Sequence, residues 1–256
     1  ARAAEAIRLG YFPNLTHASA VLGIADGSFA RALGPGVDIA TKLFNAGPSV
    51  VEAIFARAID VAWIGPSPAI NGCVKSRGEL VVVAGACAGG AALIVRPAAG
   101  IARPADFRGK RVGTPQLGNS QDVACRAWLR TQGLNPAPPR APVQVVPVAN
   151  ADQLSLFLKG HLDAVWAGEP WASLLVLEGG AAVFLEEREL WKAAGGRYPT
   201  AVLITTRNYL AAHRPRVVSL LRAHIRITRR IAADRAKALE EIAPALDRFA
   251  GGSLPP

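Results

Sequence analysis

Cysteine is scarce in this chain. Its three residues, Cys73, Cys87 and Cys125, lie far apart and form no CxxC pair. An odd count leaves at least one thiol unpaired, which argues against a disulfide framework. Histidine is scarce too: His17, His161, His213 and His224 show neither HxxxH nor HExxH spacing, so no metal site is signalled. No apolar run reaches the roughly 18–20 residues of a membrane span; Leu80 to Ala86 reads as a buried strand. No nucleophile–base pair is visible by spacing, so neither a catalytic residue nor a cofactor is expected. Basic residues are not interleaved with aromatics, and no helix-turn-helix precedes the first strand. Nucleic acid is therefore not an expected partner, despite a net charge of +10.

What is present is length and apolar content: 256 residues, 51% hydrophobic, enough for two domains of ordinary size. Much of the positive charge falls on one C-terminal stretch, at Arg214, Arg216, Arg222, Arg226, Arg229, Arg230 and Arg235. At helical spacing these lie opposite Val218, Leu221, Ile225 and Ile231, the pattern of a solvated face. The start, Ala1-Arg2-Ala3-Ala4-Glu5-Ala6, has no apolar signal core and reads as the remainder left by signal-peptide cleavage or by deliberate trimming.

The two halves echo each other at a constant offset of 103 residues. Arg8-Leu9-Gly10 matches Arg111-Val112-Gly113, each before a polar loop. Asp60-Val61-Ala62-Trp63-Ile64-Gly65 matches Asp163-Ala164-Val165-Trp166-Ala167-Gly168. Between them the helical stretch Ser49 to Arg57 lies over Asp152 to Gly160. Element boundaries in register over this distance indicate a structural duplication, and two similar lobes side by side make a cleft suited to a small molecule.

In the first half, strands are expected at 6–10, 37–43, 60–64, 80–86 and 91–96. One helix is expected over 18–32, another after Gly47-Pro48, and a short one over 69–74 behind a Gly65-Pro66-Ser67-Pro68 turn. In the second half, strands at 110–113, 143–148 and 163–167 alternate with helices at 119–131 and 151–159. Strands at 182–185 and 201–206 return the chain to the first lobe, and the remaining residues form helices on its outside. Strands alternating with helices imply an α/β fold of mostly parallel sheets flanked by helices. Lobe one is expected to hold 1–94 and 200–256, and lobe two 95–199, with hinges near 94–97 and 198–202.

Ligands of open α/β sheets sit beyond the carboxyl ends of the strands. The duplication identifies those loops as 11–17, 44–49 and 65–68, and 114–120, 148–152 and 168–171. They hold Asn14, Thr16, His17, Asn45, Ser49, Ser67, Gln116, Asn119, Ser120 and Glu169, and no arginine or lysine. Gly47-Pro48-Ser49 and Gly118-Asn119-Ser120 open helices, whose unpaired N–H groups and positive dipole end hold an oxyanion without a counter-charge. The same residues also serve as plain N-caps. His17 either donates to an anion or caps the next helix. Glu169 either meets a cationic part of the ligand or sits as a turn carboxylate. Trp171 and Phe12 can wall a pocket, whereas Trp63 and Trp166 read as core.

These loops carry a family likeness. The blocks at 10–18 (GYFPNLTHA), 44–49 (FNAGPS), 60–69 (DVAWIGPSPA), 114–123 (TPQLGNSQDV) and 163–172 (DAVWAGEPWA) resemble solute-binding proteins of ABC importers of the sulfonate, nitrate and taurine group. The 114–123 block resembles the aliphatic-sulfonate branch most closely. The likeness runs from about Ile7 to Ala243. It implies a two-lobed periplasmic-binding fold of type II that closes on an oxyanion, delivers it to a membrane permease and performs no chemistry. It further implies a monomer, periplasmic or tethered at the cell surface. Ligand positions carry over to Asn14, Thr16, Asn45, Ser49, Ser67, Gln116, Gly118, Asn119, Ser120 and Glu169; Gly47, His17 and Trp171 join them on the reading of the loops. The chain departs at Ala86-Cys87-Ala88, where relatives commonly have a Thr-Ser pair, and at its Leu254-Pro255-Pro256 end, where relatives continue. Two alternatives stand beside this reading. One is an enzyme on the same fold, of sulfinate-cleaving or pyrimidine-forming type, kept open by Cys87. The other is the effector-sensing domain of a transcription regulator.

Overall fold

The structure, a computed structural model, describes residues 5–136 and 141–249. The readings of Ala1 to Ala4 and of the Leu254-Pro255-Pro256 end fall outside the described residues. The chain divides into two compact units. The first holds residues up to Phe44, Ser49–Cys87 and those from Ala201 on; the second holds Asn45–Pro48 and Ala88–Thr200.

The first unit is built on β1 (Glu5–Tyr11), β2 (Val37–Leu43), β3 (Val61–Ile64), β4 (Leu80–Ala88) and β10 (Pro199–Thr206), in the order β2-β1-β3-β10-β4. β1 lies parallel to β2 and β3, while β10 runs antiparallel to β3. One face of this sheet, with Ile7, Leu9, Trp63 and Leu203, packs on α1 (Ala18–Ala25), α2 (Ser28–Leu33), α9 (Arg214–Ala233) and α10 (Arg235–Phe249). The other face, with Ala62, Ile64 and Ile204, packs on α3 (Gly47–Phe55) and α4 (Pro66–Lys75).

The second unit is built on β5 (Ala91–Val95), β6 (Arg111–Thr114), β7 (Gln144–Pro147), β8 (Ala164–Gly168) and β9 (Ala182–Glu186), in the order β7-β6-β8-β5-β9. β6 lies parallel to β7 and β8, and β5 runs antiparallel to both β8 and β9. The helices of this unit are α5 (Ser120–Thr131), α6 (Asn150–Leu158) and α7 (Trp171–Leu177). Each sheet is thus α/β and mixed, with a parallel core of three strands. The short helix α8 (Arg207–Ala212) leads from β10 into α9.

The duplication recurs in the hydrogen bonding. Asp60 accepts the backbone N–H of Arg8 at 2.8 Å, and Asp163 accepts that of Arg111 at 2.9 Å. In return Asp60 N–H donates to Arg8 O and Asp163 N–H to Arg111 O. The Arg8 guanidinium donates to Arg57 O and that of Arg111 to Gly160 O, again 103 residues apart. Both tryptophans are fully buried as expected, with Trp63 Nε1 donating to Ser19 Oγ and Trp166 Nε1 to Glu187 Oε2.

Three local expectations are corrected. The helix expected over 18–32 is two helices, because Gly27 takes a left-handed φ of 71° and the Asp26 carboxylate accepts the Ser28 N–H to start the second. The expected 65–68 turn is absorbed into α4, since Pro66 occupies a first-turn position where its missing N–H costs nothing. The buried seam of α9 is Val217, Leu220, Ala223, His224 and Ile227, and Ile225 is 46% exposed. The seam follows the packing of α9 on α1 and α2.

Candidate functional site

Parallel neighbours end on one edge of a sheet, so the register gathers the candidate loops within each unit. In the first unit Tyr11 lies beside Leu43 and Gly10 beside Ala62, which brings the segments after β1, β2 and β3 to the same edge. Asn14 starts a 3₁₀ turn over Leu15–His17 and, like Thr16, is buried. His17 is 1% exposed and makes no helix-capping bond. Its Nδ1 accepts the Phe12 N–H at 3.1 Å, and its ring stacks on Phe12 at 4.3 Å between centroids. Burial pulls its pKa down to about 3, so the imidazole is neutral; with Nδ1 accepting, the proton sits on Nε2. His17 therefore folds the 12–17 loop back on itself and presents a neutral donor. Ser49 lies in the first turn of α3 and Ser67 in that of α4, both half-buried; in the Asn45–Pro48 segment, which groups with the second unit, Gly47 is buried and Asn45 exposed.

In the second unit Thr114 lies beside Pro147 and Gly113 beside Val165, which gathers the segments after β6, β7 and β8. Asn119 is a true N-cap: its Oδ1 accepts the Asp122 N–H at 2.7 Å and its Nδ2 donates to Gln121 Oε1. Asp122, 2% exposed, then ties the loop together. It accepts from Thr114 Oγ1 at 3.0 Å, from Gly118 N–H at 2.9 Å, and from Arg126 Nε at 2.9 and 3.0 Å. Its charge is matched by Arg126. Ser120, half-buried, is the first residue of α5; Gln116 is half-buried, and its carbonyl accepts the Asn119 N–H.

Glu169 is half-buried after β8, in a cis peptide bond with Pro170, and its Oε2 accepts the Ser173 N–H at 3.1 Å in the first turns of α7. Trp171 is buried. Sequence reasoning gave no role to four residues here. Asp122 and Arg126 stand at i,i+4, a spacing that marks an ion pair on any helix. Gln153, 1% exposed, donates from Nε2 to Val148 O and pins the segment before α6. Asp152, inside the 148–152 segment, is exposed on α6. The candidate segments contain no cysteine: Cys87 is half-buried on β4, the edge strand of the first sheet. Buried Cys125 has its thiol pKa pushed up by desolvation.

The arrangement offers hydroxyls, amides and backbone N–H groups at the starts of α3, α4 and α5, without a lysine or arginine in those segments. A match to the NMT1-like family covers residues 1–246. The chain belongs to the NMT1-like family. Its similarity to named proteins extends over much of its length. It is 25% identical over 195 residues to the taurine-binding periplasmic protein of Escherichia coli K12, covering 76% of this chain and 57% of that protein. It is 29% identical over 133 residues to a putative binding protein of Brucella abortus, covering 51% of this chain and 39% of that protein. The NMT1-like chain thus matches about half the length of these relatives.

Its fold is that of the alkanesulfonate-binding protein SsuA of Xanthomonas axonopodis pv. citri bound to MOPS. That comparison has a TM-score of 0.79 at 22% identity, covering 100% of this chain and 86% of that one. The nitrate-binding protein NrtA of Synechocystis PCC 6803 shares it, with a TM-score of 0.76 at 18% identity, covering 98% and 67%. The Escherichia coli and Synechocystis proteins are named as periplasmic and as binding taurine and nitrate, and the Xanthomonas protein as binding alkanesulfonate.

Proposed function

We propose that this NMT1-like protein is the extracytoplasmic solute-binding component of an ABC importer. In this reading it captures a small organosulfonate, closes about the chain crossings between its two units near 87–88 and 200–201, and delivers the ligand unchanged to a membrane permease. It acts as a monomer and performs no chemistry. The observation that carries the reading is the Gly118–Asn119–Ser120 helix start. Asp122 holds its backbone in place, Arg126 cancels the charge of Asp122, and the surrounding segments supply neutral donors. A sulfonate is ionised at every physiological pH, so a site of fixed neutral donors suits it without a titrating counter-charge. His17 adds to this, since an imidazole held neutral donates but does not titrate.

Calorimetric titration with taurine, ethanesulfonate, nitrate and sulfate tests the reading. Saturable 1:1 binding of an organosulfonate, with the ligand recovered intact, is the expected result. The absence of binding to all four, or turnover of a sulfinate by Cys87, would overturn it. Small-angle scattering with and without the bound sulfonate is expected to show contraction; an unchanged profile at saturation would remove hinge closure from the proposal.

A further inference from the structure

Helix α9 carries six arginines and no acidic residue in 20 positions. An ordinary solvated helix face interleaves charges of both signs, which pair at i,i+3 and i,i+4. Here Arg222, Arg226 and Arg230 succeed one another at i,i+4, and each like-charge step works against the helix. Among the described residues, the acids that reach this face go to Arg230: Asp26 at 2.7 Å and Glu241 at 3.4 Å. Arg222, Arg226 and Arg229 are exposed and carry their charge into solvent. Arg226 and Arg230, together with Ser28 and Arg31 of α2, line a cavity of about 300 Å³ with an aliphatic floor. Arg31 is held at its mouth by bonds to Asp26 O and Ser28 Oγ. Ile225, 46% exposed, stands beside this face rather than in the buried seam.

We propose that the α2–α9 face of the first unit docks on an anionic phospholipid bilayer, its arginines on lipid phosphates and Ile225 at the headgroup boundary. The exposed arginines Arg222, Arg226, Arg229 and Arg230 extend over about 12 Å of helix axis on one side, a spread that suits several phosphates of a plane better than one small anion. The helix has no aromatic residue to stack on a base, and an exposed aliphatic beside arginines favours the bilayer over a nucleic acid.

Co-flotation of the whole chain with vesicles tests this, with no small ligand present, so the outcome is independent of the oxyanion reading. Binding is expected to vesicles of phosphatidylglycerol and phosphatidylcholine, but not to phosphatidylcholine alone. The triple variant Arg222→Glu, Arg226→Glu, Arg229→Glu should lose roughly a hundred-fold or more in partitioning, and about 0.5 M salt should release the wild type. Far-UV circular dichroism controls for folding; should the charge-reversed chain not fold, the same three positions changed to Gln give the comparison. The proposal is overturned if the wild type ignores phosphatidylglycerol, if the variant floats equally well, or if the chain binds duplex DNA and no vesicle.

Discussion

Glu187 should make its own contribution to stability larger in mild acid than in mild base. Its side chain is buried, with Oε2 accepting the Trp166 Nε1–H at 2.7 Å. Burial raises its pKa from 4.5 to about 7, and the tryptophan bond only partly opposes this. A pKa raised in the folded state means that folding favours the protonated carboxyl. The contribution is fully present below about pH 4.5 and is lost as pH rises through about 7. Carried to pH 8, that difference is worth about 3 kcal/mol. Glu187→Gln keeps the size and an acceptor for Trp166 but cannot ionise. Urea denaturation of both chains at pH 4.5, 6 and 8, monitored by circular dichroism, isolates the effect, because every other titrating group is common to the two. The variant should gain on the wild type by about 3 kcal/mol between pH 4.5 and 8. A stability difference that does not change with pH would refute the reasoning.

The site and the duplication carry further expectations. Ser120→Ala and Ser49→Ala should each weaken sulfonate binding about ten- to a hundred-fold with the melting curve little changed, a loss of roughly 1.5–3 kcal/mol for one donor to a charged group; calorimetry showing wild-type affinity in both would remove these residues from the site. Glu169→Gln should erase any preference for taurine over ethanesulfonate if the carboxylate meets an ammonium group; equal binding of the two by the wild type would leave Glu169 as the acceptor for Ser173 alone. A Cβ on Gly10 would lie 2.9 Å from Ile59 Cδ1, 3.1 Å from Phe44 Cε2 and 3.2 Å from Ala62 Cβ, whereas on Gly113 the close neighbour is Leu162 Cδ1 at 2.9 Å. Gly10→Ala should therefore cost about 1–3 kcal/mol in thermal or urea melts and Gly113→Ala less, since one flexible side-chain end can give way; the reverse order would contradict the packing.

Much of the architecture was legible because it is written in local patterns. The strands read at 37–43 and 80–86, the second of which runs on to Ala88, and the helix from Gly47 announce themselves by alternation, apolar runs and a first-turn proline. The 103-residue echo marked the equivalent strand ends. Strand direction was less legible: β10 runs antiparallel to β3 and β5 to β8, and nothing in a short apolar run encodes the direction of its neighbour. The buried seam of α9 was misplaced because arginines and aliphatics alternate closely there, and tertiary packing picked one of two similar stripes. At the candidate site, residue types and loops could be read, but their wiring could not. The back-bond from Phe12 to His17 depends on the loop closing on itself. The role of Asp122 depends on Thr114, Gly118 and Arg126 converging from strand, turn and helix.

The Asp60 and Asp163 staples lie at the opposite ends of their strands from the candidate loops. Each ties the start of one parallel strand to its neighbour, in both units alike. The loop ends have not kept pace. Asn14 corresponds to Leu117, Gly47 to Asn150 and Ser67 to Pro170, while the aspartates, arginines and tryptophans at the same offset are unchanged. The fastening of the strands and the candidate loops thus occupy different ends of the same sheet. A change at the loop end leaves the fastening below it untouched, so each unit keeps the same frame whatever its loops carry.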